Sequence, residues 1–138
     1  MSSYEVTGTS QPGGQATLSV FGSPLSVDAS SRRDLVQPGP AELLCAALAA
    51  CLLKNVERFS TLLPFRYDAA RVHVSAVRQD SPPRFTHFTY RLEIVTDEPE
   101  RRVELFHKNI RKFGTVSGTL GLAAEVVGEL VVMESFDA

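Results

Sequence analysis

No apolar stretch in this sequence is long enough to cross a bilayer. The longest uninterrupted run, Leu43 to Leu53, falls short of the roughly 18 to 20 residues that a spanning helix needs. Positive charge is also not in excess: 14 Lys and Arg stand against 16 Asp and Glu, a formal net charge of -2. No global field therefore draws the chain to nucleic acid or to an anionic membrane surface, and neither is an expected partner. The amino-terminal stretch MSSYEVTGTSQPGG has neither the basic nor the apolar region of a secretory leader. Together with only 2 cysteines, that points to a reducing cytoplasm. His73, His87 and His107 have no i,i+4 partner, CxxC or carboxylate cluster at ligand spacing, so no zinc site is expected, and they read as surface or strand histidines. Gly114, Gly118 and Gly121 lack the order and the lysine of a phosphate loop. No cofactor is implied.

What is present describes one globular domain spanning residues 1–138, 43% hydrophobic and 22% charged, without internal repeats. YEVTGT, ATLSVFG and LSVDAS read as short strands separated by Pro12-Gly13-Gly14 and Gly22. After the polar linker SSRRDLVQPG, Pro40 suits the first turn of a helix that Pro64 ends. This helix is apolar on every side from Leu43 to Leu53 and then amphipathic, with Val56, Phe59 and Leu63 on one face. VHVSAVRQD and FTHFTYRLEIVT alternate as strands, and Ser81-Pro82-Pro83 makes them a hairpin. Asp97 and Glu100 resemble a capping box for a second helix carrying Val103, Phe106, Ile110 and Phe113 at helical spacing. FGTVSGTLGLAAE predicts a loop and a short helix, and VVGELVVME a last strand. The order is α+β, with antiparallel sheets and a long apolar central helix. Two helices and one sheet offer little cover for a helix apolar all round, which predicts a second subunit against it, with Ala46, Ala47, Ala49 and Ala50 permitting close approach.

Arg101, Arg102, Lys108, Arg111 and Lys112 make the second helix basic, but Glu100 and Glu104 lie among them and no exposed aromatic is interleaved. The simplest reading is a solvated helix face. Cys45 and Cys51 are six positions apart on one helix, a rise of about 9 Å in opposed directions. A disulfide needs Cα atoms within about 7 Å, so the two cannot pair inside an intact helix. By composition alone each is most simply a small buried hydrophobe, and neither sits at a helix N-terminus that would activate it.

The segment P-A-E-L-L-C-A-A-L-A-A-C, Pro40 to Cys51, resembles the first signature of the OsmC/Ohr family, P-x-E-L-L-L-A-A-L-A-A-C, with Cys51 on the signature cysteine. P-P-R-F-T, Pro82 to Thr86, opens the central strand as in many OsmC-like proteins. K-F-G-T-V-S-G-T-L, Lys112 to Leu120, resembles the second signature, K-Y-C-P-V-S-N-T-L. The resemblance implies an OsmC-like fold in an intertwined homodimer with active sites at the interface, and thiol-dependent reduction of organic hydroperoxides in oxidative stress defence. It places Cys51 and Glu42 in the catalytic set, Cys51 as the attacking thiolate and Glu42 as the glutamate of the P-x-E-L form. The match is incomplete, because Gly114 stands where the second cysteine belongs and Thr115 where its proline belongs. The arginine of the Ohr-type G-G-R segment has no counterpart in PGGQA, although Arg32 and Arg33 lie on the linker. Two functions follow. One is a one-cysteine peroxidase whose sulfenic acid is resolved by an external thiol. The other is a family member without turnover that binds an apolar small ligand in the dimer-interface cavity, with Cys51 merely packing.

Overall fold

The computed structural model describes residues 1–33 and 35–136. They form two compact units that meet in sequence between Leu44 and Cys45. In the first, β1 (Thr7–Ser10), β2 (Gln15–Val20) and β3 (Ser23–Asp28) make an antiparallel sheet in that order. Its turns follow from residues that accept positive φ. Gly13 and Gly14, at φ 100° and 90°, close the first, and Gly14 N–H donates to Gln11 O at 3.0 Å. Phe21 and Gly22, at φ 51° and 77°, close the second as a two-residue turn whose twist suits a hairpin. Tyr4–Val6, part of the expected first strand, lies outside it.

Helix α1 (Pro40–Leu62) starts and ends within two residues of the prolines that predicted it. In the second unit its buried positions, Leu48, Leu52, Asn55, Val56 and Phe59, form one stripe at helical spacing. Burying each apolar member contributes about 1.5–3 kcal/mol. Ala46, Ala47, Ala50 and Leu53 stay exposed on the single chain. No helix among the described residues is long and apolar enough to cross a membrane.

β4 (Ala69–Asp80) and β5 (Pro83–Val95) form the expected hairpin, with a register shift between Val77 and Arg78. On β5, Phe88, Tyr90, Leu92 and Ile94 are buried on one face. Arg91 on the other face bonds Glu129 at 3.0 Å, and Arg71 bonds Glu93 at 2.8 Å. The expectation of antiparallel sheets needs one correction: β6 (Glu125–Met133) pairs with β5 in parallel. Between them lie α2 (Glu100–Lys112) and α3 (Thr115–Leu120), a crossover long enough for parallel pairing.

The expected capping box of α2 is also corrected. Pro99 occupies the N-cap, with no side-chain hydrogen bond to the helix start. Glu98, not Asp97, is the working carboxylate, bonding Arg102 at 3.2 Å and accepting the Arg66 N–H at 2.8 Å. Helix α2 buries Val103, Phe106 and Ile110 as its spacing predicts, and Phe106 stacks on Phe65 with centroids 3.9 Å apart. Phe113, just past its end, is half exposed and leans on Phe59 with centroids 5.7 Å apart.

Candidate functional site

Cys51 stands one residue before the fully buried Leu52, so its thiol is half-buried at the edge of the core. Four residues on, one helical turn away on the same face, Asn55 is buried and donates from Nδ2 to Ile110 O at 3.3 Å. That bond ties α1 to the last turn of α2. The chain then leaves α2 and passes Gly114, the buried N-cap residue of α3, with φ -80° and ψ 124°. These angles suit any L-residue, so the glycine is not required by its backbone. A Cβ on Gly114 would sit 3.3 Å from Cys51 Sγ, 3.3 Å from Asn55 Nδ2 and 2.2 Å from Ser117 Oγ. Ser117 itself donates to Gly114 O at 3.2 Å. Cys51, Asn55 and Ser117 thus surround the space a side chain at position 114 would fill. Cys45 and Cys51 form no disulfide with each other, as their helical separation requires.

Beside this cluster runs a groove of about 850 Å³, lined by Leu52, Tyr90, Ser117 and Val126 and by Lys108, Arg111 and Lys112 of α2. Tyr90 lies over the backbone of Gly128, its partner across the parallel ladder. A Cβ there would come within 2.4 Å of the Tyr90 ring, so only glycine fits. From that position the Tyr90 hydroxyl reaches His107 Nε2 at 2.7 Å. Burial, and then the charge of Arg111, pushes His107 below its ordinary pKa. The ring and the hydroxyl share one hydrogen bond whose direction follows the tautomer of the imidazole. Burial in turn pushes Tyr90 up, with Arg111 opposing. His107 therefore departs from the surface-or-strand reading, being a half-buried helix residue.

Glu42 lies in the first turn of α1, in the amino-terminal unit. Its Oε1 accepts the Gly39 N–H at 3.0 Å, the reciprocal half of a capping box, which satisfies a donor at the helix start. Its Oε2 accepts from Arg33 Nη2 at 3.0 Å. The Gly39 bond first, then Arg33, hold this carboxyl below its ordinary pKa. Of the two linker arginines, Arg33 is the one paired with Glu42. The carbonyl of Arg32 accepts from Ser30 Oγ.

Sequence reasoning singled out Cys51, Glu42 and Gly114 and passed over Asn55, Ser117 and the Tyr90–His107 pair; Cys51 and Gly114 adjoin, whereas Glu42 is paired with Gly39 and Arg33. Asn55 was within reach, since it is i+4 from Cys51 on the stripe carrying Leu48, Leu52 and Phe59. Among the described residues no group of three or more His, Cys, Asp or Glu could hold a metal ion.

No match was found among curated proteins. Solved structures share the fold at low identity. An OsmC-like protein from Mycoplasma pneumoniae superposes with a TM-score of 0.87 at 17% identity, over 96% of this chain and 98% of that one. The organic hydroperoxide resistance protein OsmC from Legionella pneumophila gives 0.76 at 14% identity, over 96% and 100%. The organic hydroperoxide resistance protein OhrB of Bacillus subtilis gives 0.70 at 17%, over 93% and 98%. The family model for OsmC-like proteins matches residues 32–127, a stretch that contains Cys51, Gly114 and the helices that bring them together. On that match, over more than half of its length, the chain belongs to the OsmC-like protein family.

Proposed function

We propose that the protein reduces organic hydroperoxides with Cys51 as its one reactive thiol and a small external thiol as reductant. The observation that supports this most is the place of Cys51 Sγ, 3.3 Å from where a side chain at Gly114 would begin. The position that holds a second cysteine in the family's signature adjoins the thiol, and here it is a glycine with the Ser117 hydroxyl against it. In the first step the Cys51 thiolate attacks the terminal oxygen of ROOH and the O–O bond breaks. The alkoxide takes a proton and leaves as ROH, and the cysteine becomes a sulfenic acid, oxidised by two electrons. Asn55 and Ser117 are the polar side chains that, with the sulfur, border the place of a side chain at position 114. An external thiol R'SH then displaces water from the sulfenic acid to give a mixed disulfide. A second R'SH releases Cys51 and leaves as R'SSR'. Atoms and electrons balance as ROOH and two R'SH giving ROH, water and R'SSR'.

The protein is further proposed to work as a homodimer in the cytoplasm. The exposed face of α1 at Ala46, Ala47, Ala50 and Leu53 is apolar, which is unusual for a surface left to water. Glu42 enters the proposal through the arginine it holds. A Glu42→Gln variant that folds normally but reacts more slowly with peroxide would give that pair a part in the chemistry.

The deciding experiment is intact mass after stoichiometric cumene hydroperoxide. A gain of one oxygen confined to Cys51, absent in Cys51→Ser and reversed by a small thiol, is the expected result. No oxidation at Cys51 under conditions that oxidise a free model thiol would reject the peroxidase in favour of apolar-ligand binding.

A further inference from the structure

Lys108, Arg111 and Lys112 lie at i, i+3 and i+4 on α2, one face of the helix, and all three line the groove beside Tyr90. Among the described residues, Lys108 and Arg111 have no ion-pair partner, while Lys112 sits over the Phe113 ring at 5.2 Å. Arg111 and Lys112 in the last helical turn also offset the helix dipole, but that asks for only about half a unit charge, and Lys108 lies outside that turn. The one carboxylate at the groove, Glu125, is turned to His87, with Oε2 and Nε2 3.1 Å apart. The groove therefore keeps an excess of positive charge at one side. Its remaining wall is apolar or small: Leu52, Val126, Gly118, Gly121 and Ala124. A surface cation with no task faces open water, whereas these converge on a concavity of about 850 Å³ that also holds the Ser117 hydroxyl.

We propose that this groove binds a phosphate monoester, its dianionic head on Lys108 and Arg111 and its organic group against Val126 and Ala124. Two cations without carboxylate partners match a doubly charged oxyanion better than a single carboxylate, and charge-assisted bonds from guanidinium and ammonium are the strong ones for phosphate. The apolar wall selects an ester over free phosphate. Binding here is independent of whether Cys51 reacts, because no contact in it uses the thiol.

The test is titration of the full-length protein with n-hexyl phosphate, followed by 31P and tyrosine ring proton resonances and by calorimetry. Hexanol and inorganic phosphate serve as comparisons. Saturable binding at least about tenfold tighter than inorganic phosphate is expected, because several methylenes leave water. Lys108→Gln and Arg111→Gln should each weaken it by at least about tenfold. Both side chains are exposed and outside any ion pair, so both variants should melt like the parent. Affinity should fall with added NaCl and be the same in Cys51→Ser. Equal affinity in parent and variants, no saturable binding, or inorganic phosphate bound as tightly as the ester would each overturn the proposal. So would binding to phosphatidic acid vesicles without binding to hexyl phosphate, since that would mark a membrane contact.

Discussion

Cys51 and Gly114 are placed so that a side chain on the glycine would begin 3.3 Å from the cysteine sulfur. A cysteine introduced there needs only a modest adjustment to reach disulfide geometry. The obstacle is Ser117 Oγ, 2.2 Å from the new Cβ, and a hydroxyl on a short side chain can turn away at the loss of its bond to Gly114 O. Gly114→Cys should therefore fold with a loss of about 1 kcal/mol, which Ser117→Ala reduces. With hydroperoxide it should form a disulfide between residues 51 and 114, while the parent, having no second thiol at that place, accumulates sulfinic and sulfonic acid at Cys51. Peptide mapping by mass distinguishes the two. A variant that folds and reacts without forming the disulfide would contradict the geometry.

The two sides of α1 should respond differently to a charge. Leu48 is fully buried in the single chain, so Leu48→Asp strands a carboxylate in the core and should cost several kcal/mol whatever the assembly. Leu53 is 39% exposed on the single chain. Leu53→Asp should leave the folded subunit intact and shift light scattering from twice the subunit mass towards 15.1 kDa. A parent already at 15.1 kDa at micromolar concentration would reject the dimer.

The long elements were legible because their periodicity records burial directly. The stripe Val103, Phe106 and Ile110 and the alternation Phe88, Tyr90, Leu92 and Ile94 each appear in the core as spaced in the sequence. What failed depended on partners far away in the chain. The parallel pairing of β6 is chosen by where α2 and α3 deliver the chain, and no local pattern in VVGELVVME encodes direction. Asp97 matched a capping pattern, but Pro99, with φ -62° and ψ 150°, takes the N-cap. At the site, Cys51 and Gly114 were visible through the two signatures, whereas the Arg33–Glu42 pair depends on the path of the linker. His107 had a local signal after all, since it is i+4 from Val103 and i-3 from Ile110, on the inward side of α2.

Gly128 should not tolerate even one methyl group. The Tyr90 ring atoms lie 2.4 to 2.5 Å from where its Cβ would be, and a planar ring held by its hydroxyl at His107 has no free end to swing aside. Gly128→Ala should destabilise the second unit by about 1–3 kcal/mol and pull Tyr90 off His107. Gly118→Ala, where an added Cβ meets nothing within 4 Å, is the control and should cost far less. Equal melting temperatures for the two variants would show that the sheet relaxes around Tyr90.

Protonation of His107 should be one of the first acid-sensitive events in the fold. Burial, and then Arg111, lower its folded pKa below the ordinary 6.5, while the ring shares a hydrogen bond with the Tyr90 hydroxyl. In the unfolded chain the same ring takes its proton near 6.5. As pH falls below that value, the unfolded state binds more protons than the folded one, so stability declines until the folded ring also titrates. Above it, the contribution is complete and flat. The carboxyls of Glu42 and Glu93 are held below the ordinary 4.5, Glu42 chiefly by Gly39 and Glu93 chiefly by Arg71, so what they contribute is present above 4.5 and is lost at lower pH. The window between 4.5 and 6.5 therefore separates His107 from them. Urea midpoints across it should fall more steeply for the parent than for His107→Gln, whose amide keeps a partner for Tyr90 without titrating. Parallel curves for the two proteins would mean that His107 takes its proton as readily in the fold as outside it.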